Sequence, residues 1–202
     1  MIHASFIRYA IMAGKQAKIL SEDHVKDLLV FAQASRYPLR NQVLVLLSVK
    51  AGLRAGEIAK LTWPMILNAS GEVGSSIELQ DGAAKKGSGR RIPIHPELKH
   101  CLIEWKAITA DEGPVIASER GGEMRPISIV LWFANAYRVL GLEGCSSHSG
   151  RRTFITRAAR LVHKAGGSLR DVQLLAGHRS IQTTERYIDG DSDAQRRLVS
   201  LI

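Results

Sequence analysis

A chain of 202 residues, 45% of them hydrophobic, suits one medium domain or one and a fraction, and lies far from the composition of a disordered protein. No apolar run approaches the roughly 20 residues that cross a bilayer, and "AIMAG" near the start is too short and too poorly flanked for a secretion signal. Lys and Arg number 28 against 19 acids, a formal charge of +9, which suits a polyanionic partner, nucleic acid being the commonest. The excess is rich in arginine, as in "SGRRTFITRAAR", and arginine forks match phosphate oxygens in pairs. A polybasic tail or basic amphipathic helix for an anionic membrane surface is not in evidence, so no membrane partner is expected. Cys101 and Cys145 have no metal spacing and read as free thiols in a reducing cytoplasm.

In chain order, "SEDHVKDLLVFAQAS" opens with a serine cap and first-turn acids, then places apolar residues at helical spacing. Pro38 starts a second helix of buried character, with Leu39, Val43, Leu44, Leu46 and Leu47, running up to Gly52. "AGEIAKLTW" reads as a short third helix ending before Pro64. Between about residues 72 and 95 the period changes: "SSIELQ" and "RRIPI" alternate as strands, joined by the Gly- and Lys-rich "DGAAKKGSG". Pro93 confines the second strand to an edge. "PELKHCLIEWKAI" returns to helix, "GGEMRP" is a turn, and "ISIVLWFANAYRVLG" is a strongly apolar helix stopped by Gly141. A helix through "SSHSGRRTFITRAARLVHKAGG" follows, then two short ones in "SLRDVQLLAGH" and "IQTTERYI", and a small amphipathic tail. The expected fold is mainly α with a small antiparallel β-sheet (α+β). Residues 1–20 form an extension, 21–190 the main domain and 191–202 the tail.

Five separated places carry cationic or hydrogen-bonding groups: Arg54 in "AGLRAGEI", Lys85 between the two strands, His148 and Arg151 in "HSGR", His178 in "LAGHRS", and Tyr187 nine residues further on. Each has a plain structural reading. Arg54 pairs with Glu57 three residues on, His148 is satisfied at a helix N-terminus, and Tyr187 is a half-buried aromatic. Their order decides against chance. "GLRAGE", "HSGRRTF" and "LAGHRSIQTTERYI" together resemble the catalytic domain of the tyrosine recombinases, the phage integrase family, over roughly residues 20 to 190. His95 and His163 lie outside every motif. Trp63, Trp105 and Trp132 sit at apolar positions and read as core.

The resemblance implies an integrase-type catalytic-domain fold and a site of six residues: Arg54, Lys85, His148, Arg151, His178 and Tyr187. Lys85 and Lys86 are adjacent, and the family frame of lysine, glycine, basic residue and proline fits Gly87, Arg90 and Pro93 when Lys85 is the catalytic one. Lys86, Arg90, Arg152 and Arg179 are then expected phosphate contacts or solvated charges, and Glu57 supports the fold. By the same resemblance Arg54, Arg151 and His178 bind the scissile phosphate, Tyr187 is the nucleophile and His148 accepts its proton. Lys85 protonates the departing 5′ oxygen. Neither metal nor other cofactor is expected. The implied partner is double-stranded DNA, with a free monomer, a tetramer on DNA and possible DNA-bending accessory proteins, in the cytoplasm at the nucleoid.

About 20 residues precede the first helix, so the N-terminal clamp domain of larger family members is expected to be missing, as in short forms resembling the fimbrial-switch invertases. Two other readings fit the same residues. One is a type IB topoisomerase, which shares the chemistry, and the other is a DNA-binding regulator of the same fold with little or no activity.

Overall fold

The computed structural model describes residues 16–84, 89–109 and 112–187, together with residues 196, 199, 200 and 202. The first helix, α1 (Glu22–Gln33), begins in a reciprocal cap: Ser21 Oγ accepts from the His24 amide at 3.1 Å, and His24 Nδ1 accepts from the Ser21 amide at 3.4 Å. Helix α2 (Pro38–Val49) starts at a proline whose missing N–H costs nothing there. It is buried along almost its whole length, because it runs through the middle of the domain and packs on α1, α4 (Pro96–Lys106) and α6 (Ser149–Leu161). Leu44, Leu47, Ile58, Ile77, Leu98 and Phe133 belong to the main core around it.

The two strands pair antiparallel, β1 (Ser76–Leu79) with β2 (Arg90–Pro93), in the register Ser76 to Pro93 and Leu79 to Arg90. Ile77, Leu79 and Ile92 face the core, while Glu78 and Arg91 pair on the outer face at 2.6 Å. That is the period-two alternation the sequence carries. Among the described residues the sheet has two strands, so both are edges, and Pro93 sits at the end of one.

Helix α5 (Pro126–Val139) closes the main core on the side of α1 and α3 (Ala55–Ala59). Helices α6, α7 (Leu169–Ala176) and α8 (Ile181–Glu185) gather a second, smaller core from Ile155, Ala159, Val162, Val172 and Ala176, with Phe154 and Tyr187 packed against it. The N-terminal segment is laced along α6: Leu20 N–H donates to Thr153 Oγ1 at 2.8 Å, and Arg152 and Arg157 donate to the carbonyls of Ala17 and Leu20 at 3.0 and 2.9 Å. Among the described residues, no helix is long and apolar enough to cross a membrane.

Three local expectations change. The third helix ends at Ala59, and Trp63–Met65 form a separate 3₁₀ turn that includes Pro64. The Trp63 amide donates instead to Gly113 O at 3.0 Å, and Val115 N–H reaches Leu61 O at 2.8 Å, so a distant loop takes the hydrogen bonds a continued helix would have used. Helix α2 stops at Val49, three residues before Gly52. Tyr187 lies in the turn after α8, with its amide on Thr184 O at 3.0 Å. The loop around Lys85 and Lys86 and most of the tail lie outside the described residues; of the tail's apolar residues, Val199 and Ile202 are described and exposed.

Candidate active site

The site begins where α2 ends. Gly52 has a φ of +63°, which an L side chain resists, and a Cβ added there would strike the ring of Phe154 on α6. The chain therefore turns tightly against α6 and delivers Arg54 to the N-terminus of α3. Arg54 donates to the Glu57 carboxylate twice, from its amide at 2.9 Å and from Nη1 at 2.7 Å.

Glu57 is 1% exposed and serves a second arginine. Arg90, at the foot of β2, forks onto both carboxylate oxygens at 3.0 and 3.1 Å and donates its Nε to Leu175 O at 2.8 Å. Burial is the strongest single influence on this carboxyl and pushes its pKa up, but the hydrogen bonds and charges of Arg90 and Arg54 together outweigh it. They hold the pKa at about 2. One buried anion thus orders Arg54 and ties the hairpin to the end of α7.

Arg151 stands in the first turn of α6, 2% exposed. Its Nη1 donates to Gly52 O and its Nη2 to Ala176 O, both at 2.6 Å, and Nη2 also meets His178 Nε2 at 3.1 Å. These contacts use three of its five N–H bonds, and they join the exit of α2 to the last carbonyl of α7. Burial first, then the neighbouring Arg54, lowers its pKa to about 10, so it remains charged at neutral pH.

His178 follows the helix-ending Gly177, whose φ of +61° turns the chain back. Its amide returns to Gln173 O at 3.1 Å, and its carbonyl accepts Gln173 Nε2 at 2.9 Å. Its Nδ1 lies 2.9 Å from Thr184 Oγ1. Burial first, then Arg151, brings the ring's pKa down to about 4, so His178 is neutral at physiological pH. The Tyr187 ring stacks on it, centroids 5.4 Å apart and planes at 25°, while the Tyr187 carbonyl accepts from Thr156 Oγ1 at 3.1 Å.

His148 occupies the N-cap of α6 on the surface, its amide on Ser146 Oγ at 3.3 Å. It opens, with Arg152, Thr183, Arg186 and Tyr187, onto one pocket of about 430 Å³. Five of the six expected site residues therefore lie within one locality: Arg151, His178 and Tyr187 meet in series, His148 shares the pocket with Tyr187, and the charge of Arg54 is felt by both Arg151 and His178. Lys85 is outside the described residues, as is Lys86. Of the expected phosphate contacts, Arg179 is exposed beside His178 on a second opening. Arg152 is turned inward to Ala17 O, and Arg90 is enclosed by Glu57 and Leu175 O. Sequence reasoning missed Arg90's place between Glu57 and α7, the carbonyls of Gly52 and Ala176, and Thr184. The visible signals were the glycine of "GLR" and the paired threonines of "QTTERY". Among the described residues no three His, Cys, Asp or Glu side chains cluster at metal-binding distance.

A helical domain that brings two arginines, a neutral histidine and a stacked tyrosine to the junction of α2, α6 and α7 has the organisation of a tyrosine recombinase catalytic domain. The chain belongs to the phage integrase family, whose family model matches residues 18–193. It is 28% identical over 194 residues to the tyrosine recombinase XerC of Rickettsia prowazekii (strain Madrid E), a match covering 90% of this chain and 60% of that protein. The chain thus spans about 60% of the length of the curated relative it matches. Its fold is shared with the crystal structure of XerA recombinase, at a TM-score of 0.71 and 23% identity over 93% of this chain and 66% of that one. A lambda integrase tetramer bound to a Holliday junction matches at a TM-score of 0.66 and 22% identity, over 87% of this chain and 49% of that one.

Proposed function

We propose that this chain is the catalytic domain of a site-specific DNA recombinase that cleaves and rejoins strands through a 3′-phosphotyrosyl intermediate. The observation that carries the reading is the buried Arg151. Its guanidinium is fixed by two carbonyls between the Glu57-ordered Arg54 and the His178–Tyr187 stack. A cation held that firmly away from solvent has little to stabilise in the free protein, and much when a phosphodiester gains charge on the way to a pentacovalent centre.

In the reaction, Tyr187 Oη attacks phosphorus and its proton passes to His148, which shares its pocket. Arg54 and Arg151 take the growing charge on the non-bridging oxygens. The bond to the 5′ oxygen breaks, and Lys85 supplies the proton that this oxygen needs to leave. The phosphate is left on tyrosine with a free 5′ hydroxyl beside it, and attack by another 5′ hydroxyl reverses the chemistry onto a new strand. Because bond energy is kept in the phosphotyrosyl link, no nucleotide is consumed.

The partner is double-stranded DNA in the cytoplasm, at the nucleoid. Exchange between two duplexes needs four such sites, assembled on DNA from protomers that are monomeric when free, with the tail docking on a neighbour and DNA-bending proteins assisting. A similar catalytic domain in a tetramer on a Holliday junction supports that assembly. The decisive experiment is Tyr187→Phe on a nicked suicide duplex carrying the recombination site. Wild type is expected to give a covalent protein–DNA band, and the variant to bind the same DNA without one. A band from the Phe variant would remove Tyr187 from the nucleophile's role.

A further inference from the structure

Arg90 has no part in the chemistry above, yet its side chain is 5% exposed and lies against a Glu57 side chain that is 2% exposed. Three of its five N–H bonds are taken: Nη1 and Nη2 fork onto Glu57 Oε1 and Oε2 at 3.0 and 3.1 Å, and Nε donates to Leu175 O at 2.8 Å. A guanidinium enclosed in this way faces protein and not the backbone of bound DNA. Its two kinds of partner, the carboxylate beside Arg54 and the end of α7, lead to the two arms of the site.

The last two carbonyls of α7 each accept from a different arginine, Leu175 O from Arg90 and Ala176 O from Arg151 at 2.6 Å. The negative end of the helix and its orphan acceptors are thus served together. Gly177 and His178 come next, and a Cβ on Gly177 would lie 2.8 Å from Arg90 Nη1 and 3.0 Å from its Cδ. The turn that presents His178 therefore rests directly on this guanidinium.

Charge gives the second link. Glu57, with its pKa at about 2, is ionised at neutral pH. Arg54 and Glu57 alone would make a neutral pair, which offers a phosphate little. Arg90 puts a second positive charge on the same carboxylate, so the trio keeps one positive charge over. His178 feels the same group: Arg151, Arg54 and Arg90 oppose its protonation, with Glu57 pulling the other way.

We propose that Arg90 is a positioning residue for strand cleavage: its guanidinium offsets Glu57, leaving the charge of Arg54 for the scissile phosphate, and ties the Gly177–His178 turn to the same carboxylate. The proposal deepens the recombinase reading and rests on it for the cleavage step. The effect on His178 is a property of the DNA-free protein.

Two variants separate the charge from the fork. Arg90→Gln loses the charge, while Arg90→Lys keeps it but cannot reach both Glu57 oxygens and Leu175 O. Single-turnover cleavage of the suicide duplex at saturating DNA should slow about 100-fold in Arg90→Gln and about 10-fold in Arg90→Lys, the scale of a misplaced reacting group. Histidine side-chain NMR of the DNA-free protein should show a neutral His178 in wild type and Arg90→Lys between about pH 7 and 5. In Arg90→Gln its titration should move upward, toward that window. Should Arg90→Gln fold poorly, Arg90→Lys carries the test, with urea unfolding to measure the folded fraction. Either variant cleaving at the wild-type rate once folded would make Arg90 a structural ion pair only and overturn the proposal. So would a rate that saturating DNA restores, which would mark a DNA contact, or a His178 titration indifferent to Arg90→Gln. A wild-type protein that shows the expected titrations but forms no covalent adduct would instead overturn the recombinase reading, and with it the link to cleavage.

Discussion

Replacing Glu57 with glutamine keeps the size of the side chain and removes the charge on which Arg54 and Arg90 converge. Two measures of the cost agree. The carboxyl's pKa lies at about 2 against an ordinary 4.5, and at about 1.4 kcal/mol per pH unit this displacement is worth on the order of 3 kcal/mol. Removing one partner of a buried ion pair elsewhere costs about 3–5 kcal/mol, because the remaining charge is left uncompensated. Here two guanidiniums would be left, with Arg151 close behind them. Urea unfolding at pH 7 should show Glu57→Gln less stable by about 3 kcal/mol with an unchanged slope. Since the folded-state pKa is depressed, the carboxylate's contribution is fully present above about pH 4.5 and is lost as pH falls through about 2. The gap between wild type and variant should therefore narrow steadily across that window. A variant within 1 kcal/mol of wild type at pH 7, or a gap that ignores pH, would refute the view that Glu57 is the ionised hub of the site.

Arg151→Lys should lose on the order of 10²–10³ in cleavage rate, since one ammonium cannot serve Gly52 O, Ala176 O, His178 and a phosphate together; single-turnover rates within tenfold of wild type would contradict this. Gly52→Ala forces a Cβ into the left-handed region and against Phe154; thermal or urea unfolding should show a loss of about 2–4 kcal/mol, and a neutral result would mean that the α2 exit can relax. Lys85→Ala should regain cleavage on DNA whose bridging 5′ oxygen is replaced by sulfur, while Lys86→Ala should only weaken binding and flatten its salt dependence. Sulfur rescue of the Lys86 variant alone would exchange the two roles. Deleting residues 191–202 should spare suicide-substrate cleavage by single protomers and abolish complete recombination. Full recombination by the shortened chain would rule out a tail that docks on a neighbour.

The helices of this protein are legible one by one, because caps, prolines and the 3.6-residue apolar period act within a few residues of chain. Ser21 and Pro38 mark their helix starts, Ile77 and Ile92 reveal the sheet by alternation, and the order of "GLRAGE", "HSGRR", "LAGHRS" and Tyr187 names the site. Local pattern could not show what lies across the fold. Arg54 and Glu57 are visible partners at helical spacing, but Arg90 joins them from 33 residues away and seals the carboxylate. In sequence Arg90 looks like a surface cation on a hairpin, and tertiary structure makes it an internal brace. Arg151 reads as one of two arginines on a basic helix; only packing decides that it is buried against carbonyls 99 and 25 residues away while Arg152 turns to the N-terminal segment. The same holds for Pro64, which ends a helix by local rules but sits inside a 3₁₀ turn because Trp63 finds its acceptor at Gly113. Secondary structure and the identity of the reactive groups follow from short-range stereochemistry and residue type. Which charges are buried and which groups meet the two ring nitrogens of His178 depend on desolvation and hydrogen-bond partners that come together only when distant segments pack.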